Sequence, residues 1–319
     1  MINVTVKNRI TEASSVVRFV LGREQGGALP PFEAGAHISV QLPSGLLRQY
    51  SLCRLQSDPH YYEIAVLKDP QSRGGSVEFH QLTIGDSLRI SEPKNHFPLV
   101  SKETKSLLIA GGIGITPLLP MAQTLQCTGA SFEFHYCAKK PETAAFSNVL
   151  ASCSFADKLH FHYSECPETS ARMNIDKVLL PHIQDTQLYV CGPASFISSV
   201  LDRALELGWP EDRLHREYFS APQDKSDETQ DKPFQVKLAS TGAVLGVSEN
   251  QTIAQVLEKN GIFLPVSCEE GVCGACLTNV LAGEVDHRDV YLNKQEKQDG
   301  KQILPCCSRA KSDVLMLDL

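Results

Sequence analysis

The chain has 319 residues, of which 42% are apolar and 21% charged, and its formal net charge is −7. That length exceeds one ordinary core and predicts two or three domains, and the composition excludes a disordered chain. The acidic balance argues against wrapping nucleic acid or docking on anionic lipid.

The N-terminus, Met1-Ile-Asn-Val-Thr-Val-Lys-Asn, lacks a basic segment followed by an apolar run, so no signal peptide is expected. The first hundred residues read as β structure. Runs rich in Val, Ile, Tyr and Leu (Ile38–Leu42, Tyr61–Leu67, Ser87–Ile90) alternate with turn clusters such as Pro43-Ser-Gly and Ile84-Gly-Asp. Short strands so punctuated predict a small antiparallel barrel. Within it, Arg48-Gln-Tyr50-Ser51 follows a hairpin turn, and strand alternation places Arg48 and Tyr50 on one face and Ser51 on the other. Further on, Ser72-Arg73-Gly74-Gly75-Ser76 precedes a helix and offers an anion pocket.

The pattern then changes. Ser106–Ala110 is continuously apolar after its serine, as expected of a parallel strand buried on both faces. Gly111-Gly112-Ile-Gly114-Ile-Thr116-Pro follows and opens a helix that runs through Gln126. Strands at Phe132–Cys137, Lys158–Tyr163 and Gln187–Val190 alternate with helices at Glu142–Ala151 and Ala194–Leu207, which predicts a doubly wound α/β domain. The longest apolar stretches, such as Ser106–Met121, are broken by Gly and Pro and are too short to span a bilayer, so a cytoplasmic protein is expected. The glycine loop is not a strict G-x-G-x-x-G, and alone it fits a tight turn as well as a phosphate site. Tyr189-Val-Cys191-Gly192-Pro193 ends a later strand and opens another helix. Two such strand ends share the carboxyl edge of a parallel sheet, where ligands bind.

Residues 221–232 (APQDKSDETQDK) hold nothing bulkier than Ala or Pro that is apolar, and read as a linker. Beyond it a hairpin (Phe234–Leu238, Val244–Val247) and a helix (Thr252–Asn260, closed by Gly261) lead to a cysteine-rich tail. The chain has eleven cysteines, an odd number, and five of them (Cys268, Cys273, Cys276, Cys306, Cys307) crowd its last sixth. Cys268, Cys273 and Cys276 make C-x4-C-x2-C, with a fourth cysteine about thirty residues on, the ligand pattern of a plant-type [2Fe–2S] cluster. Structural zinc favours paired short spacings instead, and a reducing compartment disfavours disulfides. Adjacent residues on a strand face opposite ways, so the residue types leave the fourth ligand open between Cys306 and Cys307. The histidines, His135, His160 and His162 among them, read as core or surface residues, and no paired carboxylates suggest a general acid or base.

Arg48-Gln-Tyr-Ser, Gly111-Gly-Ile-Gly-Ile-Thr-Pro and Cys191-Gly-Pro, in that order, resemble the ferredoxin–NADP reductase superfamily. With Ser-Arg-Gly-Gly-Ser and a C-terminal ferredoxin, essentially the whole chain resembles phthalate dioxygenase reductase and its vanillate demethylase and carnitine monooxygenase reductase relatives. The resemblance implies a multidomain chain: an FMN-binding antiparallel β-barrel (1–100), a doubly wound α/β NAD domain (101–220), the linker (221–232) and an α+β, β-grasp [2Fe–2S] ferredoxin (233–319). It implies an NADH-dependent oxidoreductase with FMN, NADH and a [2Fe–2S] cluster as cofactors. Tyr50 lies against the flavin and Ser51 near its N5, while Arg48, Arg73, Gly74, Gly75 and Ser76 hold the phosphate and ring edge. Gly111, Gly112, Gly114 and Thr116 line the NADH channel. Cys191, Gly192 and Pro193 sit beside the nicotinamide, and Phe219, of Glu217-Tyr-Phe, covers the other flavin face. Ser51, Cys191 and Phe219 are thus the expected catalytic residues, and Cys-x-Ser-Arg makes Cys306 the fourth iron ligand beside Cys268, Cys273 and Cys276. The implied partner is the terminal Rieske non-heme iron oxygenase, met in a transient complex, with neither nucleic acid nor membrane involved. The alternatives are a reductase for a diiron hydroxylase or a P450, many of which carry the ferredoxin first, or a metal-stapled redox sensor without enzymatic activity.

Overall fold

A computed structural model describes residues 1–55, 58–70, 72, 74–100, 104–166, 171–221 and 231–319. The chain divides into two compact units, Met1–Glu217 and Tyr218–Leu319. The body of the expected linker, 222–230, and Arg73 of the expected flavin site lie outside the described residues.

The first unit opens with β1 (Ile2–Ala13), β2 (Val16–Arg23), β3 (His37–Gln41), β4 (Leu47–Ser51) and β5 (Tyr61–Leu67), then α1 (Gly75–Gln81) and β6 (Ser87–Ile90). These strands form one six-stranded sheet in the order β4-β3-β6-β1-β2-β5. Its two ends meet, because Leu52 bridges Ile64 of β5 and the Cys53 amide donates to the Glu63 carbonyl at 2.9 Å. The sheet is therefore a barrel, and closure removes the exposed edges that an open sheet would leave. Phe19, Leu21, Ile38, Tyr62, Ile64, Phe79 and Ile90 are fully buried and fill it, with Phe79 of α1 plugging one end of the core.

The second sheet uses β7 (Lys105–Gly111), β8 (Phe132–Ala138), β9 (Leu159–Tyr163), β10 (Thr186–Gly192) and β11 (Leu214–Tyr218) in the order β11-β10-β7-β8-β9. The pairs β10–β7, β7–β8 and β8–β9 are parallel. Every residue of β7 after Lys105 is buried, as a central parallel strand requires. Its crossovers include α2 (Ile115–Cys127), which ends on the exposed Cys127, together with α3 (Ser147–Ala151), α4 (Ile175–Leu179) and α5 (Ala194–Glu206). The helix expected over Glu142–Ala151 is broken. A 3-10 turn at Pro141–Thr143 and the short α3 flank the fully buried Phe146, whose φ of 63° admits no helix. Core burial of Phe146 overrides the helix propensity of its neighbours.

The second unit holds β12 (Phe234–Leu238), β13 (Val244–Val247), α6 (Ile253–Lys259), β14 (Thr278–Ala282), β15 (Val285–Asp286), α7 (Lys294–Asp299), β16 (Gln302–Ile303), β17 (Arg309–Ala310) and β18 (Val314–Leu317). Its main sheet runs β13-β12-β18-β14-β16, with β12 and β18 parallel and the other pairs antiparallel. Ile253, Val256 and Leu257 of α6 pack on that sheet, giving a mixed sheet that grasps one helix. Among the described residues no helix is long and apolar enough to cross a membrane.

Candidate functional site: two glycine-lined strand ends, a barrel cradle and a thiol cluster

Parallel strands β7 and β10 stop side by side, and their last residues are glycines that touch. A Cβ on Gly192 would lie 3.0 Å from the Gly111 Cα, and one on Gly111 would lie 2.9 Å from the Phe196 ring of α5. Gly114, in the 3-10 turn Gly112–Gly114, is tighter still, since a Cβ there would come within 2.3 Å of the Cys191 carbonyl oxygen. Gly112, at φ 54°, faces open space. These glycines let two backbones close on one another and leave a side-chain-free surface at the carboxyl edge of the sheet. Pro193 caps α5 beside it, while the buried Thr116 hydroxyl donates to the Ile113 carbonyl at 2.9 Å and so secures the turn.

The Cys191 thiol is fully buried, and burial, reinforced by the nearby Glu217 carboxyl, pushes it well above the ordinary thiol range. It therefore stays protonated and offers a small polarisable wall, with no thiolate nucleophile. The Ser51 hydroxyl donates to Glu217 Oε2 at 3.4 Å. Although the residue as a whole keeps some accessible surface, the Glu217 carboxyl is surrounded by protein, and burial pushes it up to about 8. Ser51, Cys191 and Glu217 thus meet in one place, from a barrel strand, a sheet end and β11.

The barrel supplies a second feature. On β4, Tyr50 stands edge-on to Phe79, 4.9 Å between centroids, and burial raises its phenol. Arg48 lies across Gly75, where a Cβ would come within 2.8 Å of Arg48 Cγ and Nε. Gly74, with φ 94°, precedes α1, and the Ser76 hydroxyl accepts from the Asp69 amide at 3.1 Å. A guanidinium side chain laid over Gly75, with Gly74 at positive φ before it, forms a cradle that a Cβ on Gly75 would fill, and it suits the phosphate of a flavin mononucleotide. Lys140, two residues past the end of β8, pairs with Glu165 at 3.5 Å.

In the second unit the four expected iron ligands converge. Cys268 is hydrogen-bonded to Cys273 and Cys306, and Cys306 also to Cys276. The loop's amides turn toward the sulfurs, from Glu270 to Cys268 Sγ at 3.4 Å and from Ala275 to Cys273 Sγ at 3.5 Å. Glu269, Gly271 and Gly274 hold positive φ, which curls the loop. Cys276 and Cys306 are buried with Ala254, Leu292 and Leu304. Cys307 Sγ sits where a Cβ on Gly271 would be, 2.5 Å away, and touches Leu304 and Ser308. Four thiols with inward amides fit a [2Fe–2S] cluster. Phe219 belongs to this unit and is 40% exposed.

Glu217 is the residue that motif reading passed over. A lone Glu in Glu217-Tyr-Phe carries no signal of its own; only its burial marks it.

Residues 236–311 match the family model of the 2Fe-2S iron-sulfur cluster binding domain, and 108–202 that of the oxidoreductase NAD-binding domain. The chain is 49% identical, over 100% of both chains, to a vanillate O-demethylase oxidoreductase of Pseudomonas sp. (strain HR199 / DSM 7063). A solved phthalate dioxygenase reductase, described as a modular structure for electron transfer from pyridine nucleotides to [2Fe–2S], is 37% identical with a TM-score of 0.74, covering 99% of this chain and 97% of that one. An intact type IV self-sufficient cytochrome P450 monooxygenase gives a TM-score of 0.88 at 36% identity, covering 100% of this chain, which spans 41% of that longer one.

Proposed function

The chain belongs to the phthalate dioxygenase reductase family, and from that membership we propose that it feeds electrons to a terminal Rieske non-heme iron oxygenase. It is an NADH-dependent oxidoreductase whose cofactors are FMN and a [2Fe–2S] cluster. When bound, these groups turn the two-electron hydride of NADH into single electrons for an oxygenase. The observation that carries the reading is the convergence of Cys268, Cys273, Cys276 and Cys306 in a chain that also builds the glycine-lined edge of β7 and β10.

In this reading residues 1–100 hold FMN, 101–220 bind NADH, 221–232 link, and 233–319 carry the cluster. Arg48, with the Gly74, Gly75 and Ser76 backbone and Arg73, holds the FMN phosphate, and Tyr50 walls the ring. Gly111, Gly112 and Gly114 let the dinucleotide approach the sheet edge, while Thr116 and Pro193 brace the two turns. Cys191 and Gly192 orient the nicotinamide and exclude water. Ser51 presents its hydroxyl near the reacting edge, donating to Glu217 Oε2, and burial keeps the Glu217 carboxyl neutral. Phe219 shields the remaining flavin face. A cytoplasmic setting accords with thiols committed to an iron–sulfur cluster, since a reducing compartment keeps cysteines available to metal.

Stopped-flow reduction tests the path. Cys306→Ser should leave NADH–ferricyanide reduction within about twofold of the parent, while cytochrome c reduction falls by more than about tenfold. Loss of both activities together would place the cysteine in folding and not in electron transfer. The P450 likeness favours a second reading, a P450 as acceptor, and it is tested by presenting the reduced protein with a Rieske oxygenase and a P450 side by side. Faster transfer to the P450 would replace the Rieske partner.

A further inference from the structure

On one face of the α/β sheet, three histidines expected to be ordinary core or surface residues gather round one carboxylate, and a fourth, His162, stands behind His135. His135 of β8 and His160 of β9 are register partners in a parallel pair, and Glu133 lies two residues before His135, on the same face. Glu133 Oε1 is 2.9 Å from His135 Nε2 and 3.3 Å from His160 Nε2, and Glu133 Oε2 is 3.1 Å from His182 Nε2. His182 ends the 3-10 turn Leu180–His182 that follows α4. The Glu133, His135 and His160 ligand atoms all lie within 4.8 Å of one another.

We propose that Glu133, His135, His160 and His182 form a binding site for a divalent transition-metal ion of the zinc class, with His162 orienting His135. Tetrahedral ligands at zinc–nitrogen and zinc–oxygen distances of about 2.0–2.1 Å stand about 3.3 Å apart; Glu133 Oε1 already lies 2.9 and 3.3 Å from the His135 and His160 nitrogens, and His182 reaches Glu133 through Oε2. Three imidazoles and one carboxylate are borderline donors that suit zinc and its neighbours and do not suit calcium or magnesium.

Hydrogen-bond arithmetic points the same way. His162 bonds the Ala171 carbonyl, which can only accept, so the single N–H of a neutral His162 is engaged there. Its Nε2, 2.9 Å from His135 Nδ1, must then accept, which makes Nδ1 the protonated nitrogen of His135. The His135 Nε2 lone pair is left facing the Glu133 carboxylate at 2.9 Å. Two sets of lone pairs facing at that distance repel one another. A cation between Nε2 and Oε1 relieves that repulsion directly, and the His162 contact is then the outer hydrogen bond that fixes a metal-bound imidazole. Among the described residues the buried His182 Nδ1 has no hydrogen-bond partner, and the ring's Nε2 faces Glu133. His135 and His182 are buried, whereas the His160 and Glu133 side chains keep 47% and 30% of their surface, leaving an entry for the ion.

Holoprotein with iron and sulfide at full cluster occupancy, so that the cluster thiols are engaged, is dialysed against Zn2+ at micromolar concentration and its metal content measured. One zinc per chain is expected beyond the cluster iron, with X-ray absorption showing nitrogen and oxygen neighbours and no sulfur. His160→Ala, on the exposed side of an edge strand, should weaken binding by at least about tenfold, and Glu133→Gln likewise, while His60→Ala leaves it unchanged. Zinc should also raise the melting temperature of the parent and not of His160→Ala. Absence of the extra zinc, sulfur in its shell, or binding unaffected by His160→Ala would each overturn the site.

Discussion

A single methyl group at Gly114 is a severe test of the nucleotide edge, because its nearest neighbour is the Cys191 carbonyl, a backbone atom that cannot swing aside. Gly114→Ala should raise KM for NADH by about tenfold or more and lower Tm by several degrees, read from steady-state kinetics and a thermal melt. Glu217 carries the opposite kind of signature. A carboxyl whose folded value is raised to about 8 stays protonated in the native state at pH values where the unfolded chain has already lost its proton. Stability is then fullest below the ordinary carboxyl range and declines as pH rises from about 4.5 toward 8. Glu217→Gln should flatten that decline in denaturant melts taken across the interval; an unchanged slope would show that burial does not raise this acid. Much of the candidate site was legible in the sequence at this scale, since Gly111, Gly114, Cys191 and the four cluster cysteines sit in spaced motifs that only a few chemistries require. Glu217 was not legible, because its partner Ser51 lies 166 residues away and a solitary glutamate is ordinarily a surface residue. The histidine cluster was hidden for the same reason: His135 and His160 meet through strand register, and His182 comes from a 3-10 turn, none of which spacing along the chain discloses.

At the level of elements, the helix beside the thiol cluster is held by local chemistry. Thr252 caps α6, its hydroxyl accepting from the Gln255 amide at 3.2 Å while the Gln255 side chain takes the Thr252 amide at 3.1 Å. The Ala254 amide in turn donates to the Pro305 carbonyl at 3.0 Å, tying the helix to the residue before Cys306. Thr252→Ala should cost about 1 kcal/mol of stability in the second unit, and cluster loss on dilution should quicken, followed by bleaching of the visible absorbance. Arg309 is a larger tie. It is buried, lies 5.0 Å from the Phe234 ring centroid and donates to the Gln251, Ser248 and Lys232 carbonyls at 2.8–3.1 Å. The strands of the parallel sheet were readable because continuous apolar runs have few other uses. By contrast, β1 buries only Val4 and Val6 deeply along twelve residues, so its pattern is too diluted to stand out. In β2 the buried Arg18, paired with Glu12 at 2.6 Å and with Glu63, interrupts the apolar signal. Phe146 defeated the expected helix because tertiary burial decided a backbone angle that local propensity could not foresee.

For the whole molecule, two compact units with separate cores imply separate melting. Calorimetry should resolve two transitions. Removing iron with a chelator should lower the transition of Tyr218–Leu319 by several degrees and leave that of Met1–Glu217 in place, because the cluster's free energy of binding stabilises only the unit that folds around it. A single cooperative transition that moves as one would contradict this independence. The order of parts was legible because the apolar pattern changes from β to α/β near residue 100 and the clustered cysteines follow, as the NAD-binding match at 108–202 and the iron–sulfur match at 236–311 also run.

The exposed end of α2 has a practical consequence. Among the eleven cysteines Cys127 alone is exposed, while Cys53 and Cys191 are buried and four others are the proposed iron ligands. A bulky maleimide added to holoprotein should therefore react first at Cys127, on the far end of a helix whose beginning lines the nucleotide edge. That thiol is a ready anchor for a spin label or fluorophore, with no engineered cysteine required.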